Sequence, residues 1–301
     1  MNRLLITGAT GFLGQPSVRH ALQLPFEVHA TARGSRLPER VSYHAVNLFD
    51  AGQVTELLTE LRPTHLLHLA WIATPGIYWN SPENAAWVRA SQHLFETFAR
   101  WGGKRAVLTG TCAEYDWQAA GVCRERVTPL RPSTLYGQSK RELQMWSERY
   151  GREQGVSVAW ARLFFVYGPC EHPSRLVPSV ARALLGGEVA ACSAGTQERD
   201  FLHSSDVASA LLTLLESGLE GPVNIGSGCA VPVRRVIELV GQYCGRPDLI
   251  RLGLRPTPPN EPDLLVADVT RLREELGWRP RFELEHGLQD AVEWWKKLPA
   301  G

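Results

Sequence analysis

No uninterrupted apolar run in the 301 residues approaches the roughly 18 needed to cross a membrane, so no membrane span is expected. A basic block is missing too. Lys plus Arg number 32 against 31 Asp plus Glu, a formal net charge of +1, which leaves no electrostatic footprint for DNA or RNA. The six cysteines (Cys112, Cys123, Cys170, Cys192, Cys229 and Cys244) contain no Cys-x-x-Cys pair and no metal-ligand grouping. Reduced thiols are therefore expected, with neither a disulfide framework nor a metal site. Internal repeats and low-complexity segments are also lacking. The first strand begins by about Arg3, leaving no room for a signal peptide, so the cytoplasm is the expected compartment. What remains is 44% hydrophobic and 21% charged, enough for a substantial core in one large or two coupled domains.

Apolar runs near 3–7, 27–31, 42–46, 65–70, 104–109 and 157–163 alternate with helical stretches near 12–24, 52–61, 83–101, 134–154 and 176–186. This alternation predicts an α/β fold, a Rossmann-type doubly wound parallel sheet with helices on both faces. The first run, Leu4-Leu5-Ile6, ends in Thr7-Gly8-Ala9-Thr10-Gly11-Phe12-Leu13-Gly14, and a helical pattern follows through about Leu24. Glycines permit a tight turn and a close backbone approach, while the helix N-terminus offers free N–H groups and a positive dipole end to a pyrophosphate. Farther on, Thr134-Leu135-Tyr136-Gly137-Gln138-Ser139-Lys140 opens a helical stretch in which Tyr136 and Lys140, four apart, project from one face. An ammonium beside a phenol favours phenolate, which makes Tyr136 a candidate acid/base near neutral pH. After about Gly168 the texture is more irregular, with Pro-rich loops at 169–178 and 256–262 and helices near 232–244 and 286–297.

Further motifs follow in order: His68-Leu69-Ala70, Val107-Leu108-Thr109-Gly110-Thr111, Val166-Tyr167-Gly168-Pro169, Arg199-Asp200-Phe201-Leu202-His203 with Asp206-Val207-Ala208, Asn224-Ile225-Gly226-Ser227-Gly228, and Leu276-Gly277-Trp278-Arg279-Pro280. With the Gly8, Gly11, Gly14 spacing and the Tyr136/Lys140 pair, the chain resembles the extended short-chain dehydrogenase/reductase family along nearly its whole length. These are nucleotide-sugar epimerases, dehydratases and reductases. The resemblance implies an NAD(P)-binding domain over 1–168, to which 200–226 returns, and a smaller substrate-binding lobe made mainly of 169–301. It places the cleft between the lobes, at the carboxyl ends of the strands. It also implies a homodimer through the helices near 83–101 and 134–154.

The same resemblance assigns roles. Thr111, Tyr136 and Lys140 are the expected catalytic set, with Thr111 holding the reacting oxygen, Tyr136 exchanging its proton, and Lys140 holding the nicotinamide ribose and lowering the phenol's pKa. Cofactor contacts are expected from Gly8, Thr10, Gly11, Phe12, Leu13, Gly14, Arg33, Asn47, Leu48, Leu69 and Ala70, besides Tyr136 and Lys140. The end of the second strand carries no acidic residue for the adenosine ribose; Ala32 stands there, followed by Arg33, with Arg36 nearby. A guanidinium can pair with a 2′-phosphate that an acid would repel, so NADP(H) is favoured and NAD(H) remains open.

For the reaction, the dehydratase carboxylate two residues after the catalytic Thr is Ala113 here. Glu114 is one place further and, in a strand-like segment, points to the other face. The Cys and His that GDP-fucose synthase uses for double epimerisation align to Ala113 and Arg175. What is left is reduction of a 4-keto hexose on a nucleotide carrier, favoured through NADP(H), or C4 epimerisation. A non-catalytic NADP(H) sensor is the other class of reading, and the intact Thr111, Tyr136 and Lys140 set argues against it. Substrate contacts are expected from Trp71, Thr111, Arg175 and Arg199. Arg199 matches a nucleotide-binding position, while Phe165, Trp87 and Pro258 replace usual polar contacts. Trp79 and Trp117 are expected near the cleft, and His172 and His203 are expected to be structural.

Overall fold

The computed structural model describes residues 2–31, 41–119, 121–256 and 261–298. Seven strands form one parallel sheet: β1 (Asn2–Thr7), β2 (Phe26–Thr31), β3 (Ser42–His44), β4 (His65–His68), β5 (Arg105–Thr111), β6 (Ser157–Leu163) and β7 (Gly221–Ile225). Their spatial order is β7-β6-β5-β4-β1-β2-β3. The order reverses at β1, which places the crevice of a doubly wound sheet at the carboxyl ends of β1 and β4.

Both faces of the central strands are covered, which is why these segments read as continuous apolar runs. The pleat sends neighbouring residues to opposite cores. Leu4 and Ile6 pack with Val18 and Ala21 of α1 (Gly14–Ala21) and with Val207 and Leu211 of α6 (Ser204–Glu216). Leu5 instead meets Val54 and Leu58 of α2 (Ala51–Leu61), Phe95 and Phe98 of α3 (Glu83–Arg100), and Leu143 of α4 (Leu135–Gln154). A third core lies among α5 (Leu176–Leu185), α7 (Val233–Cys244) and α8 (Leu284–Lys296), around Val180, Ile237 and Leu288.

The predicted α/β class and parallel sheet are observed. The fifth strand ends at Thr111, where the Val107-Leu108-Thr109-Gly110-Thr111 motif ends, and the third stops at His44, short of 46. Helix α6 was not among the expected helices. Its Val207, Ala208, Ala210, Leu211, Leu212, Leu214 and Leu215 are all buried, and only Ser205, Ser209, Thr213 and Glu216 form a narrow outer stripe.

Segment 200–226 is tied to its surroundings by buried carboxylates. Asp200 accepts from Ser227 N at 2.6 Å, Ser227 Oγ at 2.7 Å, Gly228 N at 2.9 Å and Ala267 N at 3.1 Å. Asp206 accepts from Arg281 N at 3.1 Å and Phe282 N at 2.9 Å. The Arg-Asp-Phe-Leu-His and Asn-Ile-Gly-Ser-Gly motifs are thus halves of one hydrogen-bonded joint. His203 caps α6 and lies 4.1 Å, centroid to centroid, from the Phe282 ring; its Nε2 is 3.3 Å from Asp290 Oδ2 without hydrogen-bond geometry, and burial lowers the imidazole's pKa. Among the described residues no helix is long and apolar enough to cross a membrane, and no cluster of His, Cys, Asp or Glu could hold a metal ion.

Candidate active site

Gly8 turns the chain out of β1 with φ of 68°, a left-handed conformation that disfavours a side chain. A Cβ there would stand 2.9 Å from Ala70 N, and one on Gly14 would collide with Gly8 O and lie 2.6 Å from Ala9 Cα. The turn closes through Gly11 N to Gly8 O at 3.0 Å, and α1 begins with no side-chain cap on its first N–H groups. Backbone therefore lines the floor where a pyrophosphate needs close approach and unclaimed donors.

Beside this turn lies a cleft of about 330 Å³. Gly8, Thr10, Gly11, Phe12, Leu13, Gly14, Asn47, Leu48, Leu69 and Ala70 all line it. Sequence reasoning missed Thr31, Val46, Phe49 and Ala73, which complete the wall together with Trp71 and Trp87. Arg33, Arg36 and Ala32 lie outside the described residues, as does Pro258. The glycine floor and the apolar walls suit the adenosine and pyrophosphate part of a dinucleotide.

Thr111 ends β5, and Tyr136 and Lys140 occupy the first two turns of α4. The helix start is fixed by Thr134, whose side chain accepts from Gly137 N at 3.1 Å, and by Tyr136 N donating to Trp79 O at 3.0 Å. The Thr111 side chain accepts from Ala113 N at 3.2 Å and neighbours the Tyr136 phenol. Tyr78 and Trp79 set their rings edge-on to Tyr136, with centroids at 4.9 and 5.9 Å. Tyr136 as a whole is partly exposed, yet the protein packed around its hydroxyl pushes the phenol well above its usual range. Tyr78 adds to that rise and the Thr111 hydroxyl opposes it.

The expectation that Lys140 lowers the phenol's pKa is corrected by this arrangement. The ammonium lies 6.0 Å from the Tyr136 ring centroid and is engaged elsewhere, donating to Thr109 O at 2.9 Å and standing 3.8 Å over the Trp71 ring. Burial brings Lys140 itself down to about 7, against the attraction of Glu114.

Glu114 is unavailable for chemistry, though for a different reason from the expected one. Strand β5 stops at Thr111, and Cys112–Glu114 is a single 3₁₀ turn. The carboxylate is fully buried, 2.7 Å from Arg162 Nε, and accepts from Trp160 Nε1 at 3.0 Å and Thr111 N at 2.8 Å. Tyr115 is likewise a core group, donating to Asn224 Oδ1 at 2.7 Å. His68, which sequence reasoning passed over, latches β4 to β1 and α3: Nδ1 pairs with Thr7 Oγ1 at 2.7 Å and Nε2 with Ser91 Oγ at 2.8 Å. Burial, reinforced by Lys140, lowers it to about 3, so it stays neutral.

The expected substrate residues divide. Trp71 lines the dinucleotide cleft and covers Lys140, its Nε1 drawn to Asn84 Oδ1 at 2.9 Å. Arg175 stands at the N-cap of α5 with its guanidinium 5.2 Å from the centroid of the Tyr78 ring, which in turn packs edge-on to Tyr136. Arg199 is almost wholly buried. Its Nη2 lies 3.4 Å from Glu261 Oε1 without hydrogen-bond geometry, and its Nη1 donates to Glu198 O at 2.8 Å. An open phosphate-binding guanidinium is not what this placement shows. Trp79 packs edge-on against Trp117 at 5.9 Å, and the exposed His172 pairs with Ser174 Oγ at 2.8 Å.

Glu171 was not foreseen. It is buried, its carboxyl accepts from the Gly168 backbone, and Oε2 has no hydrogen-bond partner among the described residues. Burial pushes it up to about 8, the Arg175 charge opposing. The unfolded carboxyl titrates near 4.5, so the folded chain holds the extra proton between these values and loses stability as pH rises through them. We predict that Glu171→Gln flattens this decline, by up to about 4 kcal/mol at full ionisation. Denaturant titrations at pH values below and above the window check it, and parallel declines in both proteins would refute it.

Comparison with known proteins gives the family. Residues 4–226 match the NAD dependent epimerase/dehydratase family, and the chain belongs to that family. UDP-glucuronic acid decarboxylase 6 of Arabidopsis thaliana is 27% identical over 300 residues, covering 95% of this chain and 86% of that protein. UDP-glucose 4-epimerase of Thermus thermophilus, solved in complex with NAD, is 27% identical with a TM-score of 0.85, covering 98% of this chain and 99% of that one. MoeE5, solved with UDP-glucuronic acid and NAD, is 28% identical with a TM-score of 0.84 and the same coverage. The protein is an extended short-chain dehydrogenase/reductase enzyme, of the group that includes nucleotide-sugar epimerases, decarboxylases and dehydratases.

Proposed function

We propose that this enzyme oxidises C4 of a nucleotide-linked hexose and returns the hydride to the opposite face of the ring, a C4 epimerisation. The observation that carries the reading is the meeting of Thr111, Tyr136 and Lys140 at the end of β5, with no second acid/base supplied by the turn that follows: position 113 is Ala, and Glu114 is committed to Arg162. Elimination of water has no carboxylate there to assist it, whereas epimerisation needs only one proton carrier.

NAD(P), held by Gly8, Thr10, Gly11, Phe12, Leu13, Gly14, Asn47, Leu48, Leu69 and Ala70, supplies the hydride acceptor and donor when bound. Tyr136 takes the proton of the C4 hydroxyl and later gives it back. Thr111 holds that oxygen by a hydrogen bond. Lys140 binds the nicotinamide ribose. Arg175 is the cation placed for an anionic part of the nucleotide sugar, beside the Tyr78 ring.

A second reading, net reduction of a 4-keto hexose by NADPH, is favoured by the sequence after Thr31, where Ala32-Arg33 offers no acid for the adenosine ribose. The homodimer through α3 and α4 and the cytoplasmic setting belong to the same proposal. Purified protein incubated with NAD⁺ and UDP-glucose should form the C4 epimer with no lasting change in cofactor absorbance. Consumption of NADPH in step with a 4-keto sugar would favour the reductase instead.

A further inference from the structure

Lys140 carries the only side-chain ammonium in the site, and its surroundings are unusual. Its Nζ makes one hydrogen bond, to Thr109 O at 2.9 Å, and faces the Trp71 indole at 3.8 Å from the ring centroid. Among the described residues no carboxylate is paired with it. Glu114, on the turn after β5, is taken by Arg162 of β6, and His68 of β4 is neutral; the remaining titratable neighbour, Tyr136, stands on Lys140's own helix.

The indole is itself held in place. Trp71 Nε1 donates to Asn84 Oδ1 at 2.9 Å, and Asn84, fully buried, donates from Nδ2 to Tyr78 O at 2.7 Å and Ser81 O at 2.9 Å. Trp87 stacks on Trp71 with centroids 6.1 Å apart and planes inclined by 28°, and Phe49 packs on Trp87 at 4.6 Å. Helix α3 therefore sets the ring face that Lys140 sees.

We propose that Trp71 is a positioning residue for the hydride site: its indole face holds the Lys140 ammonium in place and keeps it charged. A desolvated cation over an indole face is attracted by the ring quadrupole, and only the charged form gains from it. Burial works in the other direction, pulling Lys140 down to about 7, so the ring contact tips the balance between ammonium and amine near neutral pH. This inference rests on the roles given above to Tyr136 and Lys140.

The chain has only four lysines, Lys104, Lys140, Lys296 and Lys297, so ¹³Cε-lysine labelling yields a spectrum simple enough to titrate group by group. Lys140→Met assigns the signal by its loss. In the native chain we expect one lysine to titrate near 7. Trp71→Leu should move that titration down by about one pH unit, and Trp71→Phe, which keeps a weaker ring face, by less. The Phe variant carries the test if the Leu variant does not fold. An unmoved titration in the variants overturns the proposal, and so does a rise, which would mean that the indole acts only by excluding water. Turnover of Lys140→Met separates the two claims: normal turnover would defeat the hydride-site reading even where the titration shift is seen.

Discussion

Tyr136→Phe is expected to lower turnover by about 10²–10⁴-fold while leaving dinucleotide affinity within about twofold. The phenol oxygen is the only part removed. The ring keeps its edge-on contacts with Tyr78 and Trp79, and the backbone bond from Tyr136 N to Trp79 O is untouched. Thr111 stays fixed, its side chain accepting from Ala113 N at 3.2 Å and its own N donating to Glu114 Oε1 at 2.8 Å. Steady-state kinetics and equilibrium cofactor titration on one preparation separate the effects. Turnover near the native rate would remove Tyr136 as the proton carrier, and a matching loss of cofactor affinity would recast it as a binding residue.

The second large effect is on stability. Arg162 and Glu114 are both fully buried, and Arg162 also donates from Nη2 to Gln144 Oε1 at 2.7 Å. Arg162→Met leaves the Glu114 charge without its cation in a site that water does not reach. The expected loss is about 3–5 kcal/mol, read from denaturant unfolding at neutral pH. Removing both charges, as in Glu114→Leu with Arg162→Met, should recover a large part of it, since what costs most is the unpaired charge. A single substitution costing under about 1 kcal/mol would show that the pair does not hold the end of β5 in place.

How far the sequence reaches follows from the range of each interaction. The glycine turn is legible because its requirements are local: Gly8 and Gly14 sit within one turn, and the groups they must approach include Gly8 O, Ala9 and the end of the neighbouring strand. Tyr136 and Lys140 are legible for the same reason, one helical turn apart. What Lys140 contacts is not local, since Thr109 and Trp71 come from two other strand ends, and spacing on α4 says nothing about them. The expected lowering of the Tyr136 pKa failed on that point, because it counted the charge and not the burial. Glu114 was rightly set aside, but its partner lies 48 residues away on β6, and the turn that aims it breaks the strand alternation by which its direction was read. Helix α6 escaped because its polar stripe is one residue wide, and the His68 latch because its partners Thr7 and Ser91 lie on other elements.

Epimerisation at C4 requires that the hydride leaving this carbon return to it. UDP-glucose carrying deuterium at C4, incubated with the enzyme and unlabelled NAD⁺, follows that hydride directly. The expected product is a C4 epimer that retains the deuterium at C4, with none lost to solvent and no net reduced cofactor. Loss of the label to water, or net oxidation of added NADPH by a 4-keto sugar with no epimer formed from UDP-glucose, would contradict it.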